Sequence, residues 1–179
     1  VFYGIKVVLA VVSGLAEYSL CKALAARYHH HVAKLYLVFS AFSSGMFVSA
    51  SAFLPSSVAM VAMTYCAAGV LNDSRSMVIW GAVLGCTWGW IVAGLSFVPY
   101  ALWVLWSSPM MLIKTFGAFF VALVSALGPL VVSDRLYYGS WKASLVNFLE
   151  YNVHGGGKSD LYGVEPATYY LRNGINQLQ

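Results

Sequence analysis

Long apolar runs broken by short polar punctuation dominate the chain. A helix that crosses a bilayer needs roughly 20 apolar residues. Six stretches are candidates: residues 2–25, 35–54, 56–71, 77–93, 95–106 and 110–133. The first carries Lys6 and Glu17, and a polar segment with Arg27, His29, His30, His31 and Lys34 follows it. Pro55 punctuates the end of the second stretch, and Ser56 and Ser57 suit the cap of the third. Asn72 to Ser76 reads as a polar turn. Met77 to Trp106 is long for one helix, and Gly94, Ser96 and Pro99 in its middle predict two short helices joined there by a tight turn. Pro109 opens the last run. From Asp134 onward charged and amide residues become frequent, and Gly155, Gly156 and Gly157 form a flexible run. The pattern therefore predicts an all-α, polytopic transmembrane helix bundle over residues 1–133 and an aqueous loop region over residues 134–179.

Composition strengthens this reading. Of 179 residues, 60% are hydrophobic and 9% charged, against about 25% charged in an ordinary soluble domain. One soluble core cannot hide so much apolar surface, because surface-to-volume scaling limits the interior. The net charge of +4 comes without a basic stripe interleaved with aromatics, so an orientation signal explains it better than nucleic acid does. Lys22, Arg27, Lys34 and Arg75 flank two short loops and favour the cytosolic side for both; with two helices in the long stretch, residues 134–179 then face the lumen. Cys21, Cys66 and Cys86 are odd in number and form no CxxC pair, which indicates neither a disulfide framework nor a zinc site. The chain starts at Val1, and the expectation is a piece of a longer protein.

Several side chains invite a chemical role, and each has a plainer one. Gly81, Gly85 and Gly89 recur every four residues and make a flat ridge for close helix packing. Trp80, Trp88, Trp90, Trp103 and Trp106 fit an interfacial belt better than a sugar-stacking platform. Glu17 lies within a span, where a carboxylate usually faces a bundle interior or cavity, although snorkelling from a span end explains it equally well. The consecutive histidines point about 100° apart on a helix and do not converge on one metal. The acids Asp134, Glu150, Asp160 and Glu165, with His154, are ordinary for an aqueous loop.

Three motifs lift the tail above that background. They are Asp–x–x–Tyr–Tyr–Gly at Asp134, Tyr137, Tyr138 and Gly139, then Asn–Phe–Leu–x–Tyr–Asn from Asn147 to Asn152, then Leu–Tyr–Gly–x–x–Pro at Leu161, Tyr162, Gly163 and Pro166. In this order they resemble the dolichyl-phosphate-mannose-dependent mannosyltransferases that build N-glycan and glycolipid-anchor precursors. The upstream stretch from Ser43 to Ser57, and Glu165 before Pro166, narrow the resemblance to an α-1,2-transferring branch. Ala167 departs from the family, which usually places a bulky aromatic there.

The resemblance implies a type C glycosyltransferase fold in the endoplasmic reticulum membrane, crossing it several times. The donor is then dolichyl phosphate mannose and the acceptor a dolichyl-diphosphate-linked oligosaccharide. A carboxylate would deprotonate the acceptor 2-hydroxyl, which attacks the anomeric carbon with inversion while dolichyl phosphate leaves, with no cofactor or metal implied. The family's acidic pair, in its first luminal loop, has no match here, so no catalytic residue is assigned within the chain. Substrate contact is expected from Asp134, Tyr138, Tyr162 and Glu165. A polytopic transporter, or a segment without activity of its own, are the alternatives. A transporter would show internal repeats or several charges along a path, and few charges lie within the spans, Lys6 and Glu17 among them.

Overall fold

The computed structural model describes residues 2–43, 45, 50–106, 112–141, 143–154, 166, 168–169 and 172–173. Among them the chain is helical, without strands. The elements are α1 (Phe2–Arg27), α2 (His30–Phe42), α3 (Pro55–Leu71), α4 (Arg75–Leu84), a π turn (Gly85–Gly89), a 3-10 turn (Ile91–Ala93), α5 (Gly94–Trp106), α6 (Leu112–Tyr138) and α7 (Ser144–His154). Two compact units result, Val1–Val132 and Ser133–Gln179.

Local chemistry sets most of the boundaries. The His29 ring nitrogen Nδ1 accepts from the backbone N–H of His31 at 3.3 Å and caps α2. Pro55 occupies the first turn of α3, where its missing N–H costs nothing. The run expected over 35–54 is not one helix: α2 starts earlier and stops at Phe42, Ser43 is extended, and residues 50–54 are non-helical. Ser43 explains the stop, since Ser competes for backbone hydrogen bonds and favours the end of a helix over its interior. The break in the long stretch also differs from expectation. It falls at Trp90, which is extended, while Gly94, Ser96 and Pro99 are all helical in α5. At Gly89 the backbone is pressed against α3, and the chain turns directly after that close approach.

The first unit is built from antiparallel neighbours. The Cys21 thiol reaches the Ala33 carbonyl at 3.8 Å, and Glu17 meets Ser40, so α2 folds back on α1. Arg27 and Asp73 form an exposed ion pair at 3.8 Å, which places the loops after α1 and α3 at one end. α4 leaves that end. α5 returns to it, with Phe97 beside Gly85 and Val104 and Leu105 sharing a groove with Val78 and Ile79. α6 then runs away again, Phe116 sharing the groove with Val78 and the Trp88 indole N–H donating to the Ala126 carbonyl at 2.9 Å.

The glycine ridge is where α3 and α4 come closest. A Cβ added at Gly81 would sit 2.6 Å from the Cys66 sulfur, and one at Gly89 would sit 2.9 Å from the Ala59 nitrogen. Gly69 gives the same clearance to Val78 across the turn. Four residues of α-helix overshoot a full rotation by about 40°. The wider π turn at Gly85–Gly89 takes back part of that drift and holds Gly89 in line with Gly81.

Burial is inverted relative to a soluble protein. The buried positions are mostly small, among them Ala16, Ala23, Ala62, Cys66, Ala122 and Ala126. Large apolar side chains such as Leu15, Phe39, Phe119 and Phe120 face outward. Small residues inside let backbones approach, and an apolar exterior suits lipid as solvent. By length and composition α1 and α6 can cross a membrane, whereas α3 and the Ile91–Trp106 segment are shorter apolar helices.

Candidate functional site

Of the motif residues within the described chain, Asp134, Tyr137, Tyr138 and Gly139 lie where α6 ends, and Asn147–Asn152 lie in α7. α6 continues past Ser133 and includes Asp134 and Tyr138, which the sequence pattern had put in a loop. Nothing in Asp134–Tyr138 breaks a helix, and the stop comes only at Gly139, whose φ is +69°. That left-handed conformation suits Gly, and its N–H returns to the Arg135 carbonyl at 3.0 Å, closing the helix. The Arg135 guanidinium donates to the Gly139 carbonyl and lies 5.5 Å from the Trp141 ring centre.

Asp134 has a definite local task. Its Oδ2 accepts the backbone N–H of Ser144 at 2.8 Å, the first residue of α7. A carboxylate at a helix N-terminus satisfies an orphan donor and complements the helix dipole. Asp134 and Tyr138 lie four residues apart, on one face of α6. Tyr137 and Tyr138 are exposed, their rings edge to face at 5.0 Å. The turn thus presents three exposed aromatics, Tyr137, Tyr138 and Trp141, beside a carboxylate and a guanidinium. Such a surface can stack on sugar faces and hydrogen-bond hydroxyls or phosphate oxygens. Tyr162 and Glu165 lie outside the described residues.

A second polar cluster lies in the first unit. Tyr36 and Ser40 of α2 both donate to the Glu17 Oε2, Ser40 at 3.2 Å. Two hydroxyls thereby compensate a carboxylate in otherwise apolar surroundings. Sequence reasoning singled out Glu17 but not its partners. The signal was the i, i+4 spacing of Tyr36 and Ser40, two hydroxyls on one face of the adjacent apolar segment.

A helical chain with a small-residue interior and an apolar exterior defines a membrane protein, and its motif-bearing turn joins an apolar helix to a polar segment. Comparison with known families matches residues 1–179 to the Alg9-like mannosyltransferase family. The chain belongs to that family. Among curated relatives, alpha-1,2-mannosyltransferase ALG9 of Arabidopsis thaliana is 34% identical over 98% of this chain and 30% of its own length. The protein of that name from Homo sapiens is 36% identical over 98% of this chain and 28% of its own. The alpha-1,2-mannosyltransferase of Schizosaccharomyces pombe is 32% identical over 97% of this chain and 32% of its own. The chain thus spans less than a third of the length of these relatives. No solved structure matches it.

Proposed function

We propose that this chain is part of an α-1,2-mannosyltransferase of the endoplasmic reticulum membrane. It moves mannose from dolichyl phosphate mannose to a dolichyl-diphosphate-linked oligosaccharide during assembly of the N-glycan precursor. The observation that carries the reading is the alignment of nearly the whole chain with enzymes named for α-1,2-mannosyl transfer. The architecture supports it. Both substrates carry long isoprenoids, and a bundle with an apolar exterior and grooves between its helices admits them from the side.

In this reading residues 1–133 supply the multi-pass bundle and residues 134–179 a luminal segment that meets substrate. Tyr138, Tyr162 and Glu165 contact sugar or phosphate directly, and Asp134 contributes by holding the start of α7 in place. The base that deprotonates the acceptor 2-hydroxyl comes from another part of the protein, since no residue here matches the family's acidic pair. As the anomeric C–O bond breaks, its electron pair passes to the phosphate oxygen and dolichyl phosphate leaves with one more negative charge than it carried as a diester, while the base keeps the acceptor proton. The residues named here orient the two substrates and exclude water.

The test uses the full-length protein in membranes of cells that lack the corresponding enzyme. With labelled dolichyl phosphate mannose, the lipid-linked acceptor gains mannose that an α-1,2-specific mannosidase removes. An unchanged acceptor, or a mannosidase-resistant product, refutes the proposal. Glu165→Gln in the same protein lowers transfer about tenfold, equivalent to about 1.4 kcal/mol. Transfer at the parental rate with normal donor affinity would make Glu165 structural.

A further inference from the structure

The amphipathic helix α7 is not explained by the transfer reaction. We propose that α7 is an interfacial helix, its apolar face seated in the boundary between headgroups and acyl chains of the bilayer. The proposal rests on α6 crossing the membrane and not on the transferase reading.

Three observations converge on it. The first is the level at which α7 begins. No charged residue stands between Lys114 and Asp134, and the 27 residues of α6 extend about 40 Å, more than the ~30 Å hydrocarbon core. Lys114 and the Asp134–Arg135 pair therefore mark the two interfaces. The link to α7 is short and held: Gly139 closes α6, and Asp134 bonds the first N–H of α7. The start of α7 cannot move far from the interface that Asp134 marks.

The second is the register of α7. At about 100° per residue, Leu145, Phe148 and Leu149 fall on one arc, with Asn152 also within it, Asn147 falls opposite, and Val146 and Glu150 lie side by side at one edge of the arc. Val146, Phe148 and Leu149 stay 57%, 40% and 38% exposed. The third is the composition of the connection. Tyr137 and Trp141 are exposed, and Trp141 lies under the Arg135 guanidinium. An amphipathic ring beside a cation with a long aliphatic stem is the composition of a membrane–water boundary. A wholly solvated helix has no need of the apolar arc. A membrane surface fits both the arc and its place at the end of a span.

The test places single cysteines in the full-length protein reconstituted in phosphatidylcholine vesicles. Leu149→Cys and Leu145→Cys report the apolar arc, Asn147→Cys the polar one, and Val121→Cys in mid-α6 the span. Each carries an environment-sensitive fluorophore, with labelling of the unsubstituted protein subtracted. Shallow nitroxide lipids are expected to quench the labels at 149 and 145 several-fold more than the one at 147, and aqueous iodide to do the reverse. Deep nitroxide lipids are expected to quench the label at 121. Equal iodide quenching on both arcs of α7 makes it a solvated helix and overturns the proposal. Protection of 145 and 149 from both quenchers means that protein covers the arc, and overturns it too. If 121 also escapes lipid quenching, the span itself fails and the interfacial reading with it.

Discussion

Glu17 shows how one residue changes meaning once its neighbours are known. Alone it is a costly carboxylate in an apolar helix; with Tyr36 and Ser40 donating to one of its oxygens it staples α1 to α2. Glu17→Ala strands both hydroxyls and is expected to cost about 1–3 kcal/mol. Glu17→Gln keeps an acceptor oxygen and is expected to cost less. Thermal unfolding of the full-length protein in detergent reads the order, and equal melting temperatures for the two variants would remove the staple. Gly139 is the other residue with a single job. Its φ of +69° means that Gly139→Val strains the turn by about 1–2 kcal/mol, while substitution at Gly117, where no atom lies within 4 Å of an added Cβ, is tolerated sterically. Limited proteolysis between α6 and α7 is expected to accelerate in Gly139→Val and not in Gly117→Ala.

At the scale of elements, the contact between α3 and α4 matters most. Its stability comes from backbone proximity and not from large side chains, with Ala59, Ala62 and Cys66 opposite Gly81, Gly85 and Gly89. The Cys66 thiol adds a contact to the Val78 carbonyl at 3.4 Å. Gly85 is enclosed by the Phe97 ring and Ala62, so Gly85→Leu must push α3 or α5 away. Overpacking of this kind costs about 1–3 kcal/mol. The expected outcome is a lower yield of folded protein after detergent extraction, with Gly14→Leu as the control because it meets no neighbour within 4 Å. Equal yields for both would show that the ridge tolerates separation. The short helices follow from the same contact: α4 gives way to a π turn because the ridge must stay aligned, and the chain turns at Trp90 once Gly89 has reached α3.

Across the whole molecule, the direction of each helix decides which loops share a side. Arg27 and Asp73 meet at one end, and α4, α5 and α6 then leave, return and leave again. The turn at Asn72 and the end of the first unit at Val132 are thus at opposite ends of the bundle. With the basic loops cytosolic, a glycosylation acceptor in a long hydrophilic insertion is expected to be modified after Gly156 and not after Asp73. Modification after Asp73 would invert the membrane orientation and overturn the luminal placement of residues 134–179 that the proposed function requires. A shift in gel mobility that is reversed by an endoglycosidase gives the answer.

What the sequence determined on its own is local or additive. Runs of apolar residues predict helices because each residue's transfer to lipid contributes independently, and the glycine period announces a packing face before its partner is known. The motifs around Asp134 and Tyr162 identified the family because such strings are specific one-dimensional marks. Their geometry could not be read in the same way. Asp134 was legible as a motif residue, yet its bond to Ser144 depends on α6 continuing to Tyr138 and turning at Gly139. Nor could the spacing of Ser40 from Glu17, more than 20 positions along the chain, show that they would meet. Gly94 and Pro99 suggested a break that fell instead at Trp90, because the close approach of Gly89 to α3 outweighed local preference. Those pairings were decided by tertiary structure alone. Interhelical register is set by many small contacts acting together, and shifting one helix by a single residue rotates every side chain on it by about 100°.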